Sequence, residues 1–365
     1  MMIDRKKACF VLGLFTCLFF AGCGFFGAGN NTNGTISFHN AVGWAVGNPS
    51  DGYGVILHTT NGGDTWGRQG VTLEVPAVTL SSVSAIDNEH VWIVGGSSNG
   101  YPTVLKTADG GVTWVRKSSA TYLGTDDLLK ISALDNQTAW AVGINGAILK
   151  TIDGGDTWAR QGSSEVPAVQ LQAVYALNAS TVWVGGFPSD GYPTILKTTD
   201  GGDHWVRQAA VSREAGARFV IDIYAVDENN VWAVGQGTLM PPLVLKTADG
   251  GNSWASQEVH HLGDANGIFA FDKNTAWIAQ DGNGISMTVD GGNNWGTQEA
   301  AVLESYFFLC PRALNKDVCW IVGEALRYPV DGVIMRTIDA GTHWASCEAM
   351  PANNGLWGLT FVGIR

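Results

Sequence analysis

"TIDGGDTW", residues 151 to 158, sets a carboxylate, two adjacent glycines, a threonine and a tryptophan into eight positions. Six relatives of it run along the chain: "TTNGGDTW" at 59–66, "TADGGVTW" at 107–114, "TTDGGDHW" at 198–205, "TADGGNSW" at 247–254, "TVDGGNNW" at 288–295 and "TIDAGTHW" at 337–344. Their third positions are separated by 48, 44, 47, 49, 41 and 49 residues. That period lies in the range of a propeller rather than a helical solenoid, about one four-stranded blade per unit.

Two further elements share the period. A tryptophan motif precedes each box: "GWAVG" at 43, "VWIVG" at 91, "AWAVG" at 139, "VWVGG" at 182, "VWAVG" at 231, "AWIAQ" at 276 and "CWIVG" at 319. Upstream of six of these lies a short apolar run whose third residue is small, giving the column Ala85, Ala133, Ala176, Ala225, Ala270 and Ala313. Short stretches of Val, Ile, Trp and Thr bounded by Gly, Asn and Asp read as strands, with no sustained helical period. Each unit is therefore strand, turn, Trp strand, variable loop, strand ending in "LKT" or similar, glycine turn, and a fourth strand beginning at the box Trp. Seven such units predict an all-β, seven-bladed propeller. "LWGLTFVG" at 356–363 is an extra copy of the first strand with no box behind it. It is expected to complete the first blade beside the N-terminal strands, sealing the ring and leaving no open sheet edge.

The box residues all have structural tasks. Glycine takes the positive φ that a hairpin turn needs, an Asp or Asn before it accepts the turn's own N–H groups, and the Trp buries a large apolar face. Asn61 replaces the Asp in one copy, Ala340 a Gly in another, and the sixth position includes Val112. A calcium or sugar site built seven times over would not tolerate that variation, and calcium asks for six or more oxygen ligands.

The pattern T-x-D-G-G-x-T-W resembles the Asp-box, or bacterial neuraminidase repeat. In combination with "VWAVG…ILKTTDGG", the chain is similar over nearly all of residues 35–363 to the photosystem II assembly and stability factor family and its non-photosynthetic bacterial relatives. The resemblance implies the propeller fold and, more loosely, an assembly role. Asp-boxes also occur in sialidases, xyloglucan hydrolases and sorting receptors, so fold alone does not choose among these.

The N-terminus reads as an address. Arg5, Lys6 and Lys7 precede the apolar run "ACFVLGLFTCLFF", and "FAGC" ends at Cys23. Residues 1–22 are expected to be a signal peptide. "FAGC" resembles a bacterial lipobox, which makes Cys23 the lipidated first residue and 23–34 a flexible tether to the propeller at 35–365. The expected location is the bacterial cell envelope, at an outer membrane if there is one. Of six cysteines, Cys310, Cys319 and Cys347 remain in the body, too few for a disulfide framework. The net charge of −12 disfavours nucleic acid and anionic lipid surfaces.

No catalytic constellation stands out, and no cofactor or metal is expected. Arg68, Arg116, Arg160 and Arg207 each lie two residues beyond a box Trp and repeat with the scaffold, which leaves no obvious sialidase-type triad. Asp126, Asp127, Asp222 and Glu304 are carboxylates without a readable pairing. His260, His261 and Asp264 are a weak metal candidate, because adjacent residues on an extended segment point apart. Lys130 and Asp222 occupy the first-strand column otherwise held by Ser82, Ala173, Gly267 and Cys310, making them candidate channel residues. The loops between second and third strands place Tyr53, Tyr101, Tyr192 and Tyr328 on one face as a candidate binding surface, since tyrosine joins apolar area to a hydroxyl. The alternative is that these are turn-packing residues repeated by duplication. The reading is a non-enzymatic, membrane-tethered module for a protein partner; the alternative is a glycan binder or glycoside hydrolase.

Overall fold

A computed structural model describes residues 38–117, 126–162, 164–208, 219–236, 242–260, 263–282, 284–298, 306–325, 331–347 and 354–362. Within them seven antiparallel sheets of four strands each are arranged as blades. The inner strands are Leu80–Ala85, Leu128–Ala133, Leu171–Ala176, Phe219–Ala225, Ala265–Ala270, Tyr306–Ala313 and Leu356–Phe361. Each touches the next, and the last touches the first, so the ring is closed. Blades 2 to 7 follow chain order. Blade 1 is composite: Leu356–Phe361 pairs with Gly43–Ser50, which continues to Tyr53–Thr59 and Gly67–Gln69. The C-terminal strand thus completes the first blade, as its sequence implies.

The boxes are local clamps. In the third box Thr151 Oγ1 donates to Asp153 Oδ1 at 2.8 Å and accepts from Gly155 N at 2.9 Å. Asp153 in turn accepts from Thr157 N at 2.9 Å and from Thr157 Oγ1. The residue before the Trp bonds the third-position side chain in every copy: Thr113, Thr157, Ser253 and Asn294 donate from their side chains, His204 and His343 pair through Nδ1, and Thr65 Oγ1 accepts from Asn61 Nδ2 while its backbone N–H donates to Asn61 Oδ1. The sixth position takes no part in the Thr–Asp clamp, although Asn252, Asn293 and Thr342 there donate to the box Asp carbonyl, and Val112 is tolerated at 81% exposure. The fourth strands begin one residue after the box Trp rather than on it, at Gly67, Val115, Ala159, Val206, Ala255, Gly296 and Ala345.

The boxes also join the blades. Each third-strand lysine lies over the Trp beside it in its own blade, with Nζ 4.4 to 4.8 Å from the ring in four cases: Lys106 on Trp92, Lys150 on Trp140, Lys197 on Trp183 and Lys246 on Trp232. The same ammonium donates to the first-glycine carbonyl of the next blade's box: Lys150 to Gly201 O, Lys197 to Gly250 O and Lys246 to Gly291 O, each at 2.8 Å, and Lys106 to Gly154 O at 3.5 Å. At the closing seam Arg336 reaches Gly62 O at 2.9 Å and Asp64 at 2.7 Å. The second glycine lies against the preceding blade's Trp; a Cβ on Gly202 would meet Trp140 at 2.6 Å. Edge-to-face tryptophan pairs such as Trp92 with Trp158 at 6.1 Å and Trp183 with Trp254 at 5.9 Å complete the seams. The small-residue column accommodates these rings, and in blade 1 it holds Phe361, stacked on Trp320 at 4.3 Å.

Candidate functional site

Every inner strand carries a bulge that sets one residue out of register: Ser81, Leu129, Gln172, Ile221, Asn266, Leu309 and Trp357. The position after it is the column that contains Lys130 and Asp222. These two are paired: Lys130 Nζ donates to Asp222 Oδ1 at 2.6 Å, with side-chain exposures of 2% and 3%. Blade 4 lies between them, and its residue in the column is Ala173, small enough to let the lysine pass. Asp222 also accepts from Ile223 N and Ile268 N, both at 3.1 Å. Burial draws the Lys130 ammonium below its usual pKa, opposed by the Asp222 carboxylate.

This column and the one two residues further along tie neighbouring inner strands together. Ser82 Oγ accepts from Ile131 N and Ser84 Oγ from Ala133 N, both at 3.2 Å, while Ser132 Oγ accepts from Ala176 N at 3.0 Å. Where the column holds Gly267 and offers no acceptor, the facing residue of the next blade is Pro311, which has no N–H to satisfy. Two residues further along the inner strands, blades 4 to 7 present Tyr175, Tyr224, Phe269 and Arg312. Tyr175 and Tyr224 are 4.7 Å apart, Tyr224 and Phe269 5.0 Å, and the Arg312 guanidinium is 5.9 Å from the Phe269 ring. This aromatic run escaped the sequence reading, although it occupies the column of Ser84 and Ser132.

The tyrosine-bearing hairpins project from the end of the blades opposite the boxes, a third strand's length away, about 25 Å. Tyr53, Tyr101 and Tyr192 hold one register position, facing Ser50, Ser98 and Ser189. The tips are two-residue turns with both residues at positive φ: Asp51–Gly52 at 53° and 86°, Asn99–Gly100 at 56° and 84°, and Asp190–Gly191 at 56° and 80°. The fourth-strand arginines hold them. Arg68 Nη2 donates to Ser50 O at 3.0 Å and Tyr53 O at 3.3 Å, Arg116 to Ser98 O at 2.9 Å, and Arg207 to Ser189 O at 2.6 Å and Tyr192 O at 3.3 Å. Arg160 does the same for the shorter, tyrosine-free turn of blade 3, donating to Asn145 O at 2.9 Å. In blades 5 to 7 Ser256, Thr297 and Ser346 stand where these arginines do.

Three clamped tyrosine hairpins therefore rise from blades 1, 2 and 4, with the tyrosines half-buried and, among the described residues, no ring contact between them. Tyr328, His261, Glu304 and Cys23 lie outside the described residues. The exposed side chains Val71, Leu73 and Glu74 flank the first hairpin, whose Gly54 N donates to Pro76 O at 2.8 Å. On the opposite side of this face Asp281 accepts from Asn266 Nδ2, which also donates to Phe308 O at 3.1 Å. Burial and the neighbouring Asp264 push the Asp281 carboxyl up to about 6. Cys319 and Cys347 are buried free thiols, and burial pushes Cys347 up to about 11. Among the described residues no group of three His, Cys, Asp or Glu side chains is placed to hold a metal ion. Among them too, no helix is long and apolar enough to cross a membrane.

A family model described as the photosynthesis system II assembly factor YCF48 matches residues 68–182 and 186–303, more than half of the chain. No curated protein matches. Among solved structures, "YCF48 bound to D1 peptide" is similar with a TM-score of 0.62 and 20% identity, covering 82% of this chain and 91% of that one. YCF48 from Cyanidioschyzon merolae has a TM-score of 0.59 and 18% identity, covering 82% and 96%. The GH74 xyloglucanase from Xanthomonas campestris has a TM-score of 0.53 and 12% identity, covering 83% and 58%. At these identities the structural likenesses show the shared fold alone. The family match goes further: the chain belongs to the photosynthesis system II assembly factor YCF48 family.

Proposed function

From that membership and the clamped hairpins, we propose that this propeller is a non-enzymatic docking module that binds a polypeptide through its hairpin face and serves the assembly of a larger complex. The observation that carries the reading is the set of arginine-held turns presenting Tyr53, Tyr101 and Tyr192. A turn fixed before binding loses little conformational freedom on contact, and tyrosine adds area and a hydroxyl at low entropic cost. A solved YCF48 carries a D1 peptide, which supports a polypeptide ligand. The box carboxylates, Lys130 and Asp222 are all engaged in hydrogen bonds within the scaffold, which leaves them poorly placed to serve as acid, base or nucleophile.

Export and anchoring are part of the proposal. The signal-like residues 1–22 and Cys23 support a lipid-anchored protein of the bacterial cell envelope, with 23–34 as its tether. Metabolic labelling with an alkynyl fatty acid should mark the wild type and not Cys23→Ala; labelling of both rejects the anchor. For the docking face, the triple substitution of Tyr53, Tyr101 and Tyr192 by Ala should release a partner co-purified by cross-linking from envelope membranes, with the thermal midpoint unchanged. Undiminished co-purification rejects this face. Retention on a glycan array by the wild type, lost in the triple variant, would instead favour a carbohydrate ligand.

A further inference from the structure

The seven seams are not equivalent. Five have a cation that reaches from the third strand of one blade to the box of the next: Lys106, Lys150, Lys197, Lys246 and Arg336. The seam from blade 1 to blade 2 has a relay in its place. There Trp44 Nε1 donates to Gln69 Oε1 at 3.2 Å and Gln69 Nε2 to Gly110 O at 3.0 Å, with His58 stacked on Trp44 at 4.7 Å. Between blades 6 and 7 the register position beside Trp277 is Met287, which has no proton to give. Among the described residues no side-chain donor of blade 6 reaches the seventh box.

The seventh box itself has adapted to this lack. Its first-glycine position is Ala340, at φ 56°. In boxes 3 to 6 a Cβ at that position would meet the stapling ammonium: Lys106 Nζ at 2.9 Å from Gly154, Lys150 Nζ at 3.3 Å from Gly201, Lys197 Nζ at 3.4 Å from Gly250 and Lys246 Nζ at 2.9 Å from Gly291. The alanine fits in box 7 because the preceding blade contributes methionine there. At the inner end the seam faces Gly267 with Pro311, so the side-chain cap that links other blades is missing as well. Beside the apolar cluster that the two blades share, the seam keeps the Trp277–Trp344 pair at 6.0 Å, Arg312 over Phe269, Gln298 against Gly341, and Asn266 Nδ2 donating to Phe308 O.

We infer that the seam between blades 6 and 7 is the built-in opening point of the ring, where the two blades part locally while the other six seams stay closed. Local opening follows the weakest set of contacts, and this one has lost both of its repeated polar ties. Two buried thiols report on it. Cys319 is the register partner of Ala313, in the small-residue column that faces the Trp of the preceding blade, and it belongs to the same apolar cluster as Trp277. Cys347 lies at the neighbouring closing seam, its Sγ 3.3 Å from where a Gly63 Cβ would sit.

Native-state alkylation of the full chain with iodoacetamide, followed by peptide mass mapping, separates the two. Cys319 should be modified at least about tenfold faster than Cys347. The paired change Met287→Lys with Ala340→Gly, which installs the staple of the other seams, should slow Cys319 by about tenfold and leave Cys347 unchanged. Met287→Arg with Ala340→Gly, copying the closing seam, is the second variant should the first fold poorly. Equal rates at the two thiols, or a Cys319 rate indifferent to both stapled variants, overturns the inference.

Discussion

Replacing Lys246 by methionine removes a staple from a seam and leaves its packing, since Met287 occupies the equivalent register in blade 6. The Lys246 ammonium is 4.4 Å from the Trp232 ring and donates to Lys273 O and Gly291 O, both at 2.8 Å. A half-exposed cation over an indole contributes about 0.5–1 kcal/mol. A hydrogen bond from a charged donor contributes roughly 1.5–3 kcal/mol when buried, and less here, because the side chain is half-exposed and both carbonyls can turn to water. The loss should come to about 2 kcal/mol. Unfolding entropy is about 2.1 cal/mol/K per residue, roughly 0.7 kcal/mol/K for a propeller of this size, so Tm should fall by about 3 °C. Calorimetry measures it directly. Lys246→Arg should stay within about 1 °C of wild type, because Arg336 performs the same task at the closing seam. An unchanged Tm for Lys246→Met, or an equal fall for both variants, refutes the stapling role.

Other expectations concern charge and strain. Asp153, Asp249 and Asp290 are held down at about 2, first by their bonds from the residue before the Trp. A depressed carboxylate stabilises the fold above its ordinary pKa near 4, and that contribution drains away as pH falls through 2, so Tm should drop steeply between pH 4 and 2, and less so in Asp153→Asn. Asp281 runs the other way: raised to about 6, it favours the fold at low pH and loses that contribution as pH climbs from about 4 to 6, so Asp281→Asn should flatten this limb of the Tm profile. Lys130→Met leaves the Asp222 carboxylate buried without its cation and should cost about 3–5 kcal/mol in urea unfolding. Asp222→Ala, which also frees the Ile223 and Ile268 N–H groups, should cost more; equal stability of either variant to wild type contradicts the pairing.

How far the sequence could carry the reading is clearest at the seams. The seven boxes and seven Trp strands gave blade number, strand order and ring closure, because hairpin turns and short apolar runs are local events written in adjacent residues. The contacts made by Lys106, Lys150, Lys197 and Lys246 lie 45 to 53 residues away, on a neighbouring blade. The recurring "LKT" marked those residues, but only the ring brings each one to the next box. Pairing of Lys130 with Asp222 across 92 residues depends on a bulge that shifts the register and on Ala173 being small, neither of which has a sequence signature. The arginine clamps were visible as a repeat and were assigned to the outer strand, where they are; their reach to the hairpin tips was not. Met287 with Ala340, and Gly267 with Pro311, are departures from the repeat that look like noise until the partner departure is known to sit across the seam.

Site-specific photo-cross-linking tests the docking account most directly. A benzoylphenylalanine placed at Tyr53, Tyr101 or Tyr192 samples the hairpin face, and one at Ile152 or Val289, exposed at 69% and 66% in the boxes, samples the opposite face. The account predicts one polypeptide adduct of common mass from the three hairpin positions and none from the two box positions. Adducts confined to Ile152 and Val289, or equal at both faces, contradict it.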